Sequence, residues 1–170
     1  MILVCYDGSA DARAAIDGAG ELLPGNEATV LVLWETVLET MSRDGLGMGL
    51  GMIGGYSDDQ ADAAVKQAAV DTAAEGAQRG TDAGLLTTPR IERRHGDAAT
   101  EILRVAADVD ADLVVLGTRG RNGIKSLMLG SVSHAVVHHA DRAVLVIPSE
   151  ELAEARCHWI EHARVSDGVE

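Results

Sequence analysis

Four small residues in the second half of the chain follow a spacing that suits phosphate binding. The pattern Gly117-x2-Gly120-x9-Gly130-Ser131 begins where the apolar run Leu113–Leu116 ends. Glycine has no Cβ, so the backbone can approach a ligand closely at the first two positions. Gly130-Ser131 opens a predicted helix, whose first N–H groups and positive dipole end attract phosphate oxygens. This segment therefore predicts a site for a phosphate-bearing ligand after a buried strand.

Basic and hydroxyl side chains in the same segment strengthen this interpretation. Arg119, Arg121 and Lys125 lie between the glycines, and Ser133 offers a hydroxyl close to Ser131. The net charge of the whole chain is −13, so these cations would reverse the charge locally, as a polyphosphate site needs. The overall acidity and the 2% content of aromatic residues argue against a nucleic-acid-binding surface.

Other phosphate, catalytic and metal-binding motifs are not supported. Gly120–Ser126 reads GRNGIKS and lacks the glycine that precedes the lysine of a P-loop, and no GxSxG nucleophile motif occurs. His134 and His138 are four residues apart, as are His158 and His162. Neither pair comes with the further ligands that zinc requires, so we predict no metal site and no catalytic residue.

The elements that would position these residues alternate between strands and helices. Short apolar, β-branched runs predict the strands, and Ala-rich amphipathic stretches predict the helices. We also predict Ser9 and Asp97 as helix N-caps. The predicted strands are Ile2–Tyr6, Ala28–Trp34, Thr88–Arg94, Leu113–Leu116 and Ala143–Ile147, and the predicted helices are Ala10–Leu23, Asp58–Arg79 stopped by Gly80, Asp97–Val109 and one opening at Gly130-Ser131.

This succession predicts an α/β fold with one open, doubly wound, parallel five-stranded sheet and helices on both faces. Of the two strand orders that are common in such sheets, 3-2-1-4-5 is favoured. Ligands of such sheets bind where the strand order reverses, here between the first and fourth strands. Asp7 and Gly117 would then face each other across one crevice. Thr88–Arg94 alternates in polarity, with Ile91 inward and Glu92 and Arg94 outward, as in an edge strand.

Two segments fall outside the regular pattern. Residues 38–57 are rich in Gly and Met, and we interpret them as a flexible insertion, either a flap over the ligand, a partner contact or a disordered linker. The α/β domain would span residues 1–148. The remaining residues, 149–170, are predicted as a helical C-terminal extension that docks on its own domain or on a second subunit, because Leu152, Ala155, Trp159 and Ala163 share one helical face.

The cysteines and the N-terminus bear on location. Cys5 lies within the first strand and Cys157 far away in the tail, so we expect a buried thiol at Cys5 and no disulfide. The first residues, MILVCYDGS, lack a charged leader and enter a strand directly, and no stretch has the length of a membrane span. We therefore expect a cytoplasmic protein that contacts no membrane.

The glycine pattern and its flanking segments resemble the universal stress proteins of the ATP-binding kind. The resemblance extends through GSVSHAVVHHADRAVLVIP, DGS after the first strand, VLVLWE at the second and RRHGDAATEIL at the third strand and its helix. It covers residues 1 to 148. The resemblance implies a nucleotide-binding α/β domain.

Roles for individual residues follow from this resemblance. Asp7 would contact the ribose or adenine side, and the main chain of Leu33 would hydrogen-bond adenine. The backbone of Cys5 and Tyr6 would line the base pocket, and the Val132 N–H would bind phosphate. The full set of expected nucleotide-binding residues is Cys5, Tyr6, Asp7, Leu33, Gly117, Gly120, Gly130, Ser131, Val132 and Ser133.

The resulting hypothesis is a dimeric, ATP-binding regulatory protein of the stress response. The ligand would be ATP (or AMP or ADP), with Mg²⁺, and two subunits would pair along the apolar last strand, Ala143–Ile147. An unidentified protein partner is also possible. The alternatives are a slow ATPase or phosphotransferase on the same site, a dimeric scaffold that binds no nucleotide, and, least favoured, a flavin carrier. An enzymatic role is not favoured, because Asp7 is the sole carboxylate we can place near the phosphates and no base for water activation is evident.

Overall fold

The computed structural model describes residues 1–43, 59–120 and 129–166, with side chains in the last segment as far as His158. Their strands form one parallel sheet in the order β3-β2-β1-β4-β5, as predicted. Pairing is in register along each strand, for example Leu3 with Thr29 of β2 and with Val114 of β4. The strands are β1 (Ile2–Cys5), β2 (Glu27–Trp34), β3 (Leu86–Arg93), β4 (Leu113–Gly117) and β5 (Ala143–Ile147).

Helices cover both faces of the sheet, which confirms the doubly wound prediction. The first and third helices pack with Ile2 and Val4 of β1 on one face, and the fourth and fifth pack with Leu3 on the other. Both faces of β1 are therefore buried, as expected for the central strand of a parallel sheet. The helices are α1 (Ala10–Leu22), α2 (Val37–Arg43), α3 (Asp59–Asp82), α4 (Ala98–Asp108), α5 (Ser131–His139) and α6 (Glu150–Ser166).

Two predicted caps fix where helices begin beside the crevice. The Ser9 hydroxyl accepts a hydrogen bond of 3.1 Å from the Ala12 N–H. The Asp97 carboxylate accepts one of 3.0 Å from the Thr100 N–H. Each cap contributes about 1 kcal/mol to helix stability and sets the direction in which the preceding loop enters its helix.

Part of the predicted insertion is helical, so the prediction of a loop from residue 38 onwards was wrong for residues 38–43. A capping box explains the helix: the Glu39 carboxylate accepts 2.9 Å hydrogen bonds from the Thr36 N–H and hydroxyl, and the Thr36 hydroxyl accepts one of 3.3 Å from the Glu39 N–H. Asp62 of α3 adds a 2.9 Å bond to the Val37 N–H. The rest of the predicted flap, residues 44–57, lies outside the described residues.

Gly80 does not end α3, in contrast to the prediction. The helix continues to Asp82, so Gly80 lies inside it. Thr87 of β3 packs against the helix at this position. A Cβ at position 80 would approach Thr87 Cγ2 to 2.6 Å. This glycine therefore serves close helix–sheet packing rather than helix termination.

The last helix extends the chain beyond the sheet, as predicted. α6 spans Glu150–Ser166, and its Leu152 is 3% exposed. The side chains of Trp159 and Ala163, which we predicted on the same face, lie outside the described residues. Within the described parts of the chain, no helix is both long enough and apolar enough to cross a membrane.

Candidate functional site

A cavity of about 1040 Å³ lies at the carboxyl ends of the strands. It occupies the point where the strand order reverses, between β1 and β4, and extends over β2 towards the start of α4. Such a crevice is where open α/β sheets bind ligands. All ten residues expected at a nucleotide site contribute to its lining: Cys5, Tyr6, Asp7, Leu33, Gly117, Gly120, Gly130, Ser131, Val132 and Ser133.

The peptide groups of Leu33 face the crevice. Parallel pairing of β1 with β2 ends at Cys5 and Leu31, and the Tyr6 N–H donates to the Leu31 carbonyl at 2.8 Å. Peptide groups on one side of a strand recur every second residue, so those of Leu33 point the same way as those of Leu31. Since β1 has ended there, Leu33 presents an N–H donor and a C=O acceptor side by side to the cavity.

Asp7 and Gly120 lie in direct contact on the opposite wall. Asp7 Oδ1 accepts a 3.0 Å hydrogen bond from the Ser9 N–H, which fixes the carboxylate at the start of α1. A Cβ at Gly120 would come within 2.7 Å of Asp7 Oδ2. Asp7 and Gly117 both line the cavity as expected, but the glycine that abuts Asp7 is Gly120, and Gly117 packs on Asp11 instead.

The N-terminus of α5 opens towards the cavity. Its N-cap residue, Gly130, provides no side-chain cap, and the first turn carries no acidic residue. The Gly130 N–H donates to the Thr118 carbonyl at 2.9 Å, which anchors the helix start beside the end of β4. Ser131 is exposed and Val132 is 37% exposed, so the first-turn amides lie at the cavity surface. An anion can accept hydrogen bonds from these amides and gain from the helix dipole.

The Ser133 hydroxyl, which we predicted as a second hydroxyl at the phosphate site, forms a hydrogen bond within the protein. Ser133 is 5% exposed, and its hydroxyl donates a 2.8 Å hydrogen bond to the Gly117 carbonyl. That bond ties the first turn of α5 to the end of β4. The Ser133 hydroxyl proton is therefore engaged within the protein, while Ser131 keeps an exposed hydroxyl at the cavity.

Cys5 and Tyr6 line the base side of the cavity. Burial, together with the negative charge of Asp7, raises the pKa of the Cys5 thiol to about 12, so the thiol stays neutral at physiological pH. Cys5 and Cys157 are both free, as expected. The Tyr6 ring packs towards α3, where a Cβ at Gly76 would approach its Cδ1 to 2.7 Å.

The far end of the cavity contains a pair that the sequence analysis did not single out. Arg94 and Glu35 form an ion pair with side chains 18% and 14% exposed, just after β3 and β2. The prediction that Arg94 faces outward was therefore wrong, because Glu35 holds its side chain in the cavity wall. Trp34 lies beside them, with Lys66 Nζ 5.9 Å from its ring centroid. Their position directly after strand ends was a usable signal, because the carboxyl ends of parallel strands meet at one edge.

The predicted loop cations are only partly described. Arg119 lines the cavity, whereas Arg121 and Lys125 lie outside the described residues. On α5, the His134 and His138 rings stack with centroids 6.2 Å apart. No group of three or more His, Cys, Asp or Glu side chains suited to a metal occurs in residues 1–43, 59–120 and 129–158.

Comparison with known proteins identifies the family. The model of the universal stress protein family matches residues 1–148. This chain belongs to the universal stress protein family. Universal stress protein YxiE from Bacillus subtilis is 29% identical over 149 residues, covering 86% of this chain and 97% of that protein. The putative universal stress protein SSP1056 from Staphylococcus saprophyticus is 49% identical over 51 residues, so this match spans only 30% of either chain.

Solved structures share the fold of this family member. The hypothetical protein MJ0577 superposes with a TM-score of 0.62 at 22% identity, over 86% of this chain and 94% of that chain. A universal stress protein from Archaeoglobus fulgidus in complex with dAMP superposes with a TM-score of 0.53 at 18% identity, over 86% of this chain and 95% of that chain. A universal stress protein family protein from Arabidopsis thaliana with AMP bound has a TM-score of 0.57 at 15% identity, over 88% of this chain and 91% of that chain.

Proposed function

We propose that this universal stress protein binds an adenine nucleotide in the crevice between β1 and β4. The observation that carries the proposal is the convergence of three groups on one cavity: the Leu33 peptide, the Asp7 carboxylate and the uncapped start of α5. A peptide edge suits a base, a carboxylate suits ribose hydroxyls, and helix amides suit phosphate.

The base would be read by the main chain of β2. Adenine presents an acceptor, N1, next to a donor, the 6-amino group. The Leu33 peptide offers the complementary pair, N–H beside C=O, at the point where β1 no longer covers β2. The neutral Cys5 thiol and the apolar Leu31 would border the base. Buried polar groups that must be paired give strong selectivity between bases.

The phosphates would lie at the first turn of α5. The amides of Ser131 and Val132, the Ser131 hydroxyl and the Arg119 guanidinium all border that part of the cavity. The dAMP complex of the Archaeoglobus protein and the AMP complex of the Arabidopsis protein, which share this fold, support an adenine nucleotide as the ligand class. We extend the proposal to ATP, with Mg²⁺ held by the phosphate oxygens and by Asp7.

The carboxylates that line the cavity favour nucleotide binding over nucleotide hydrolysis. Among the described residues, the cavity is lined by the carboxylates of Asp7, Glu35 and Asp97. Asp7 accepts from the Ser9 N–H, Glu35 pairs with Arg94, and Asp97 caps α4. In the proposed complex the ribose and Mg²⁺ would occupy the remaining acceptor positions of Asp7. None of the three carboxylates is then left as a base with a free acceptor near the phosphate, which activation of an attacking water requires. We therefore propose a nucleotide-dependent regulatory role.

Titration of nucleotide-free protein with AMP, ADP and ATP, with and without Mg²⁺, tests the proposal by calorimetry. Ser131→Pro is the informative variant, because proline is well tolerated at the first position of a helix but removes its N–H. We expect about 10-fold weaker binding of AMP and ATP and unchanged binding of adenosine. Ser131→Ala, which keeps the N–H, should lose less. Absence of binding to every nucleotide by the wild-type protein would contradict the proposal.

We also propose that two copies of the chain pair along β5. This strand lies at the edge of the sheet, and its side chains from Val144 to Ile147 are half-buried. The Thr118 N–H donates to the Ile147 carbonyl at 3.2 Å, so the peptide of Val146, one residue earlier, faces outward. Val146→Pro removes an outward N–H without removing a bond to β4.

Light scattering after size-exclusion chromatography tests the pairing. We expect a dimer for the wild-type protein and for Val146→Thr, which keeps the N–H and the branched side chain. Val146→Pro should shift the population to monomer. A monomeric wild-type protein, or a Val146→Pro variant that remains fully dimeric, would contradict pairing through this edge.

A further inference from the structure

Asp11 is a buried acidic residue next to the proposed phosphate site. It lies in the first turn of α1, where acidic side chains usually face solvent, yet it is 8% exposed. Gly117 at the end of β4 packs against this turn: a Cβ there would lie 2.6 Å from the Asp11 carbonyl carbon and oxygen. The end of β4 and the first turn of α1 are therefore in close contact.

One oxygen of this carboxylate has no hydrogen bond. Asp11 Oδ2 is inaccessible to solvent and accepts no hydrogen bond from any residue that the structure describes. A buried acceptor without a donor is unfavourable, and a buried charge without compensation is more so. Compensation comes from the start of α1, whose dipole favours negative charge, and from one nearby cation.

That cation is Arg119 of the phosphate loop. Its Nε lies 3.9 Å from Asp11 Oδ2, and its side chain is 17% exposed. At this distance the two groups attract each other as charges without a formed hydrogen bond. Arg119 also lines the cavity, between the glycines that border Asp7 and Asp11. Its guanidinium is thus shared between a buried carboxylate and the space where phosphate oxygens would lie.

We infer that Asp11 is a specificity-determining residue that limits the preference of this site for polyphosphates. The inference rests on the proposed function, because it concerns how the same crevice ranks adenosine, AMP and ATP. Each phosphate added to the ligand brings negative charge towards a carboxylate that solvent does not screen. Each also competes with Asp11 for the Arg119 guanidinium. The opposing effect therefore increases with the charge of the ligand.

Asp11→Asn tests this directly, because it removes the charge and keeps the size of the side chain. We expect unchanged affinity for adenosine, a small gain for AMP and a gain of about 10-fold for ATP, all measured by calorimetry without Mg²⁺. Asp17→Asn is the matched control. Asp17 lies on the same helix but pairs with Arg79 at 2.6 Å on the exposed side, so its removal should leave the AMP-to-ATP ratio unchanged.

Arg119→Gln provides a second test that does not depend on the folding of the Asp11 variant. Arg119→Gln should weaken the binding of ATP more than that of AMP and leave the affinity for adenosine unchanged. In the double variant, Asp11→Asn should increase the affinity for ATP by less than it does in the wild-type background. The inference is overturned if Asp11→Asn increases the affinity equally for all three ligands, or for none of them. It is also overturned by an Arg119→Gln protein with an unchanged AMP-to-ATP ratio. Failure of the wild-type protein to bind any nucleotide would instead contradict the proposed function itself.

Discussion

The Tyr6 hydroxyl donates a 2.8 Å hydrogen bond to the Glu75 carboxylate, although 69 residues separate them in the chain. This bond joins the end of β1, where the crevice begins, to the middle of α3. Arg13 of α1 donates to the same carboxylate oxygen at 3.2 Å. Burial and the hydrogen bond to Glu75 raise the pKa of Tyr6 to about 12, so the phenol remains a donor at all physiological pH values.

Tyr6→Phe should destabilise the protein by about 1 kcal/mol, because a buried phenol loses a bond to a charged acceptor that solvent partly screens. For a domain of this size, the corresponding fall in Tm is about 3 °C. Denaturant unfolding at pH 7 measures the loss. Glu75→Gln keeps an acceptor oxygen and should lower the free energy of unfolding by less. A Tyr6→Phe protein as stable as the wild type would show that the bond contributes nothing to stability.

The contacts that join distant segments were the least predictable from the sequence. The strands, the helices and the Ser9 and Asp97 caps follow from local periodicity and turn chemistry, and the structure confirms the caps. The strand order and the carboxyl-end crevice follow from the common topology of such folds, and the structure confirms both. Tyr6 with Glu75, and Asp11 with Arg119, are joined only by the packing of α1 and α3 on the sheet. Local sequence patterns contain no information about which distant side chains such packing brings together.

Two local signals were present in the sequence but were interpreted wrongly. Thr36-x-x-Glu39 is a capping box, yet the glycines that follow led us to predict a loop from residue 38. Gly80 resembled a helix stop, but the close approach of Thr87 explains it better. At Thr36 and Glu39 the capping bonds outweigh the glycine-rich composition of the segment that follows. At Gly80 close helix–sheet packing, and not helix termination, requires the glycine.

Glu39 should make folding stability depend on acid pH. Its hydrogen bond from the Thr36 backbone, with further bonds from Arg93 and the Thr36 hydroxyl, lowers the pKa of Glu39 from 4.5 to about 2. A depressed folded-state pKa gives stability that is present in full above pH ~4.5 and is lost as the pH falls towards 2. The stability advantage of the wild type over Glu39→Gln should therefore shrink between pH 5 and pH 2, measured by urea unfolding. Glu21→Gln, on the exposed end of α1, is the control for the removal of one surface carboxylate.

The proposed reading of the base by Leu33 predicts adenine selectivity. IMP carries a carbonyl oxygen in place of the 6-amino group and a proton on N1, so both of its groups oppose the Leu33 N–H and C=O. We expect IMP to bind about 30-fold more weakly than AMP in a calorimetric comparison. 7-Deaza-AMP keeps the adenine edge and should bind like AMP. Equal affinities for AMP and IMP would exclude recognition through this peptide.

Two glycines of the phosphate loop should respond differently to alanine. At Gly117 the added methyl would meet Asp11 backbone atoms at 2.6 Å, and backbone cannot move aside, so Gly117→Ala should lower the free energy of unfolding by about 2 kcal/mol. At Gly120 the closest described atom to the added methyl would be Asp7 Oδ2 at 2.7 Å, and a side-chain oxygen can rotate away. Thermal unfolding distinguishes them: Gly120→Ala should remain close to the wild type in stability.

Gly120→Ala should instead weaken nucleotide binding. A displaced Asp7 carboxylate oxygen loses its place beside the ribose side of the crevice. We expect about 10-fold weaker binding of adenosine and AMP alike, because the ribose is common to both. Gly96→Ala is the matched control, since Gly96 also lines the cavity and a Cβ there meets no atom of the described residues within 4 Å. If Gly120→Ala affected AMP but not adenosine, Asp7 would serve the phosphate rather than the ribose.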